Sequence, residues 1–129
     1  MAKRLDAIFA VVSSSEFNSD EALDAFERKE YDRVVELTLP YAIAGNSDAQ
    51  TQLSLLYQLG LGVKRDVLEA ERWLLKATEQ NNPLAWNNLG TLYVSQLPEL
   101  RNHWNDAAEC YQKAKALGLN VAEPYPPPS

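Results

Sequence analysis

Cys110 and His103 are the only thiol and the only imidazole in the chain, and nucleophilic catalysis would need one beside the other. Seven residues along one predicted helix set them about 10 Å apart on its axis, out of direct reach. Cys110 reads as a small core residue and His103 as an exposed residue of a first helical turn. No second cysteine or histidine is there to complete a zinc set, and no loop gathers carboxylates for a hard cation. No catalytic residue, metal or cofactor is therefore expected. "GLGVKRD" places Gly60 and Gly62 before a basic pair, which invites comparison with a phosphate cradle. A dinucleotide fingerprint needs a preceding strand and a third glycine, where this chain has a helical pattern and Arg65. A P-loop would end in Gly-Lys-Ser/Thr. The stretch instead reads as a corner: Gly60 in a left-handed cap, Gly62 reversing the chain, Val63 filling the gap between helices, Asp66 capping the next helix.

Acidic residues outnumber basic ones, eighteen to twelve, for a net charge of -6. That balance repels nucleic acid and anionic membranes. The excess is local, since residues 16–36 hold eight acids against Arg28, Lys29 and Arg33. Within it Asp20, Asp24 and Glu27 fall at i, i+4 and i+7, an acidic stripe that is either a solvated face or a docking surface for a basic partner.

The elements that would hold these residues are helices. No stretch alternates apolar and polar residues between turn clusters, whereas helical spacing recurs throughout. Helices are predicted at about 3–13, 19–29, 31–44, 48–59, 66–80, 83–95 and 103–117, with Pro40 bending or breaking the third. Asp66 and Glu69 make a capping-box pattern, and Asn82 with Pro83 reads as an N-cap followed by the first helical residue. Leu68 and Leu75 widen the apolar face of the 66–80 helix so far that it is expected to lie between neighbours.

The chain also repeats itself. A shift of 36 lays Ala49, Leu53 and Tyr57 on Ala85, Leu89 and Tyr93; a shift of 37 lays Ala70, Trp73, Lys76 and Ala77 on Ala107, Cys110, Lys113 and Ala114. Ala22, Phe26 and "YAIAGNSDA" make a weaker earlier copy. At 129 residues, 46% of them apolar and 23% charged, one folded domain is expected.

"AQTQLSLLYQLGLGVKRDVLEAERWLLKATEQNNPLA" resembles the Sel-like repeat, a relative of the tetratricopeptide repeat, with Ser54 where that family has glycine. The unit after it keeps Leu89, Gly90, Tyr93, Lys113 and Ala114, but its corner reads "SQLPELRNHWND" without glycine. The resemblance covers about residues 20–122. It implies an all-α, α/α superhelical solenoid of about three helix-turn-helix units, 19–48, 49–84 and 85–122. Residues 1–18 would form an amino-terminal helix and cap, and residues 123–129 a proline-rich tail.

The resemblance further implies a non-catalytic protein-protein interaction module, with the first helix of each pair on the concave side. Polar positions one turn off the Leu-x-x-x-Tyr seam select Thr51, Leu55 and Gln58 in the middle unit and Asn87, Thr91 and Ser95 in the last, as a peptide-binding row or as ordinary solvated surface. No lysine or arginine falls on this row, so the carboxylate clamp of some tetratricopeptide relatives is not expected. Tyr57, Tyr93, Trp73, Phe26 and Tyr111 follow the repeat and read as core. Trp86 and Trp104 have no counterparts, and one of them is a candidate for an exposed contact.

The expected partner is a protein or peptide, with a basic one favoured by Asp20, Asp24 and Glu27. Three rivals stay open: a dedicated inhibitor or immunity-type protein for a basic toxin, a chaperone or assembly adaptor, and a hydrolase using Cys110 or His103. A single cysteine fits a reducing, cytoplasmic setting. The opening "MAKRLDAIFAVVSSS" imitates a secretion signal, but its apolar run is short and Asp6 interrupts it, so it reads as a helix; a processed signal would make the location periplasmic. "VAEPYPPPS" reads as polyproline, either a disordered end or a strap over the last helix.

Overall fold

The computed structural model describes residues 13–102 and 104–120. The predicted 3–13 helix, His103 and the proline-rich tail lie outside the described residues. A single 3-10 turn, Ser14–Glu16, leads into six helices: α1 Ser19–Glu27, α2 Tyr31–Ile43, α3 Ser47–Leu59, α4 Val67–Glu79, α5 Pro83–Val94 and α6 Trp104–Ala116. They pair as three consecutive hairpins, α1 with α2, α3 with α4, α5 with α6, and neighbouring hairpins stack through α2 on α3 and α4 on α5. Among the described residues there is no strand. This is an all-α repeat solenoid.

Local chemistry fixes the helix starts. The side chains of Asn18, Asn46 and Asn82 accept hydrogen bonds from the backbone N–H groups of Glu21, Ala49 and Ala85, so all three first helices begin on an asparagine cap. Each such cap contributes about 1 kcal/mol. Asp66 does the same for α4, accepting from the Glu69 N–H at 3.0 Å. The predicted capping box is only half formed: the Asp66 N–H donates to the Tyr57 carbonyl, and the Glu69 carboxylate turns outward to Arg72.

The glycine corner closes as its sequence suggests. Gly60 ends α3 in the left-handed region (φ 69°, ψ 44°). Gly62 also has positive φ, and a Cβ there would lie 2.6 Å from the Tyr31 carbonyl oxygen. The corner is therefore pressed against the start of α2 in the preceding hairpin.

Two expectations need correction. Pro40 does not break α2, which continues to Ile43, and the Ala44 N–H reaches the Pro40 carbonyl at 3.0 Å. Proline removes one donor, and the ladder closes again a turn later. The 66–80 helix does lie between neighbours, but Leu68 and Leu75, whose apolar character suggested it, are 44% and 42% exposed. The neighbours cover one side of α4 with α3 and the other with α5, and this pair points away from both.

Because α4 lies between hairpins, it serves two parts of the core. Trp73 joins Val34, Leu53 and Leu56, while the adjacent Leu74 joins Leu89, Leu92 and Leu100. Burial thus runs across the junctions, and no hairpin keeps its core to itself.

Candidate functional site

The first helices α1, α3 and α5 share one face, where α3 and α5 also touch. An open groove of about 420 Å³ lies along it. From the first hairpin, Phe17, Leu23 and Phe26 line the groove, with Asp20 at its edge. From α3 come Asp48, Gln52 and Leu55, at i, i+4 and i+7. From α5 come Leu84 and Asn88, one turn apart. The helical period explains the set, because residues spaced by three or four positions emerge on one side of a helix.

The groove is apolar with a negative edge. Leu23 of α1 and Leu84 of α5 both line it and remain 52% and 48% exposed, leaving large aliphatic side chains in water within one cleft. Asp48 accepts a hydrogen bond from the Asn82 side-chain amide at 2.8 Å. No lysine, arginine or histidine is part of the lining. A second concavity, about 460 Å³, lies at the α1–α2 corner beside Gly62, where Lys29 and Arg33 mix with Glu30 and Asp32. Arg33 is already paired there with Glu21 at 3.0 Å.

The nine residues selected from the sequence divide into two groups. Asp20, Thr51 and Leu55 line the groove. The Thr51 side chain is buried, and its hydroxyl donates to the Ser47 carbonyl at 2.8 Å. Gln58, Asn87, Thr91, Ser95, Asp24 and Glu27 lie outside the lining. Thr91 hydrogen-bonds Tyr111 at 3.0 Å, on the side of α5 that faces α6, and Ser95 donates to the Thr91 carbonyl at 3.0 Å. Asp24 pairs with Arg28 along α1 at 3.2 Å, and Glu27 is exposed.

Sequence reasoning missed Phe17, Leu23, Phe26, Leu84, Gln52 and Asn88. A signal existed: Leu84 and Asn88 occupy the row preceding the Ala85–Leu89 seam, as Asp48 and Gln52 precede Ala49 and Leu53. The search passed over it by seeking polar residues alone and assigning apolar ones to the core.

Burial holds two ionisable side chains of the core in their protonated forms. Burial first, then Glu109 and Asp106, pushes the Cys110 thiol up to about 12, so it stays protonated and weakly nucleophilic. Burial likewise raises Tyr93, whose hydroxyl donates to Glu71 at 2.7 Å and accepts from Asn102 at 3.2 Å. No three His, Cys, Asp or Glu side chains among the described residues converge as metal ligands. No described helix is long and apolar enough to cross a membrane. Trp86 and Trp104 are both half-buried, and the Lys113 ammonium sits 5.1 Å from the Trp86 ring centre.

Three stacked hairpins with a shared first-helix groove define an α/α repeat solenoid. The Sel1 repeat family model matches residues 47–82 and 105–119. Two solved structures are similar: a Sel1 repeat protein from Oxalobacter formigenes, 27% identical over 78% of this chain with a TM-score of 0.67, and a protective antigen present in uropathogenic Escherichia coli strains displaying an SLR fold, 29% identical over 69% with a TM-score of 0.63. The chain thus carries Sel1 repeat matches in its second and third hairpins and shares the fold of these two proteins. It spans 39% and 19% of the lengths of those two structures. No curated protein sequence matches it significantly. Sel1 repeats serve generally as protein-interaction scaffolds.

Proposed function

We propose that this chain is a non-catalytic binding module that holds a protein or peptide partner in the groove lined by α1, α3 and α5. One observation carries the reading: the groove keeps Leu23 of α1 and Leu84 of α5 about half exposed, although α3 and α5 bury Leu53 and Leu89 completely or nearly so. Removing such a patch from water is the strongest available driving force for association. The protonated, buried Cys110 supports a role without catalysis. A reducing compartment belongs to the same proposal and follows from the lone cysteine.

The test is capture of partners from the native cell extract on the intact chain, followed by measurement with purified components. Leu23→Ser combined with Leu84→Ser is expected to weaken the complex by at least about tenfold, since central apolar contacts dominate interfaces. Leu68→Ser combined with Leu75→Ser, similarly exposed on α4 and outside the lining, is expected to leave it unchanged. The reverse pattern would move the binding face away from the groove.

A further inference from the structure

Resting on that reading, we infer that the groove takes a peptide segment presenting a leucine- or phenylalanine-sized side chain with a lysine or arginine close beside it. The apolar requirement comes from the walls. Leu23 and Phe26 of the first hairpin, Leu55 of the second and Leu84 of the third converge on one cleft, and polar cargo would leave them as wet as before. The basic requirement comes from the edge. Among the described residues the Asp20 carboxylate has no hydrogen-bond or ion-pair partner, and the Asp48 carboxylate receives only the Asn82 amide. The nearby cations are committed elsewhere, Arg28 to Asp24 and Arg33 to Glu21.

An acidic segment or a phosphate would meet two carboxylates and no lining cation, a repulsive arrangement. A lysine or arginine placed over Asp20 would instead find an opposite charge beside the apolar walls. Gln52 lines the groove with no hydrogen-bond partner among the described residues, so its amide can donate to and accept from the backbone of an extended segment. The groove crosses three helices from three hairpins, which suits a chain segment.

Fluorescence anisotropy with the full chain tests this with three labelled peptides of about a dozen residues. One carries a Leu-Phe pair flanked by two lysines, the second replaces the lysines with glutamates, and the third replaces the Leu-Phe pair with serines. The first is expected to saturate, the second to bind at least about tenfold more weakly, and the third not to saturate. Asp20→Asn should weaken the lysine peptide by about threefold, reduce its salt dependence and leave a neutral Leu-Phe peptide unchanged. Leu23→Ser with Leu84→Ser should abolish binding while circular dichroism and the thermal melt stay as in the parent chain.

Equal binding of the lysine and glutamate peptides would overturn the inference. If the Leu23/Leu84 variant still loses its captured partner in that case, the groove reading stands without this chemistry. Peptide binding that emerges only after Lys3→Glu with Arg4→Glu would identify the chain's own amino terminus as the occupant, and self-association lost in the Leu23/Leu84 variant without peptide binding would identify a second copy; either overturns the inference.

Discussion

The middle and last hairpins reverse direction by different means. Between α3 and α4 the corner is built from glycine, and Gly62 lies so close to the first hairpin that a methyl group would strike the Tyr31 carbonyl. Between α5 and α6 there is no glycine, and Leu100, 3% exposed, is driven down into the core with Leu97 packed beside it. The middle corner is a surface on which the preceding hairpin rests. The last corner is a plug set into the core that its hairpin shares with α4. A repeat can therefore lose its glycines where a side chain takes over the space that backbone proximity filled.

The largest effect should come from Gly62→Ala. The residue has φ 73°, and its new Cβ would sit 2.6 Å from a backbone oxygen that cannot swing aside. Left-handed strain and overpacking together should cost about 3 kcal/mol, read by urea unfolding. A cost under about 1 kcal/mol would show that the two corners do not differ as described. Leu100→Ala should come next, at about 2 kcal/mol, the low end for a buried leucine because a loop can partly collapse into the space.

A third difference is in titration. Trp73 holds in α4 the register that Cys110 holds in α6, and only the thiol titrates. Its proton is retained in the folded chain to about pH 12, against an ordinary value of 9.0, so the unfolded chain releases it first as pH rises. The Cys110 contribution is present in full below pH 9 and is lost as pH climbs toward 12, by at most about 1.4 kcal/mol per pH unit. Tyr57 and Tyr93, also raised by burial, steepen the loss above pH 10. Denaturation midpoints collected between pH 8 and 10 should fall in the parent chain and stay flat in Cys110→Ala. The smallest effect belongs to the one ion pair joining the two corners, Arg65 with Glu99 at 3.2 Å and largely exposed. Arg65→Ala should change stability by about 0.5 kcal/mol or less, and by nothing measurable in high salt.

Much of this was legible in the sequence. Periodicity and caps placed the six described helices to within a residue or two, because asparagine before a periodic run and glycine after one act through local geometry. The corner at Gly60 and Gly62 was legible for the same reason. Pro40 misled because its cost depends on whether neighbours hold the helix together, which no local pattern states. Leu68 and Leu75 pointed to a helix held between neighbours, yet stay exposed themselves, because amphipathicity counts apolar faces without saying how many will be covered. The groove was half legible: the choice of first helices gave Thr51 and Leu55 and the acidic stripe gave Asp20, but Leu23 and Leu84 were in neither pattern. Whether an apolar side chain is core or binding wall depends on the distance to the next hairpin.

Asn82 caps α5 with its oxygen and, with its nitrogen, holds Ser47 at 3.0 Å and Asp48 at 2.8 Å at the start of α3. Asparagine ages into aspartate when the following backbone nitrogen attacks the side-chain amide, and the resulting carboxylate would here face Asp48 and push the two helix starts apart. The following residue is Pro83, which has no N–H to make that attack. The residue that opens the helix thus also guards the junction against slow chemical decay.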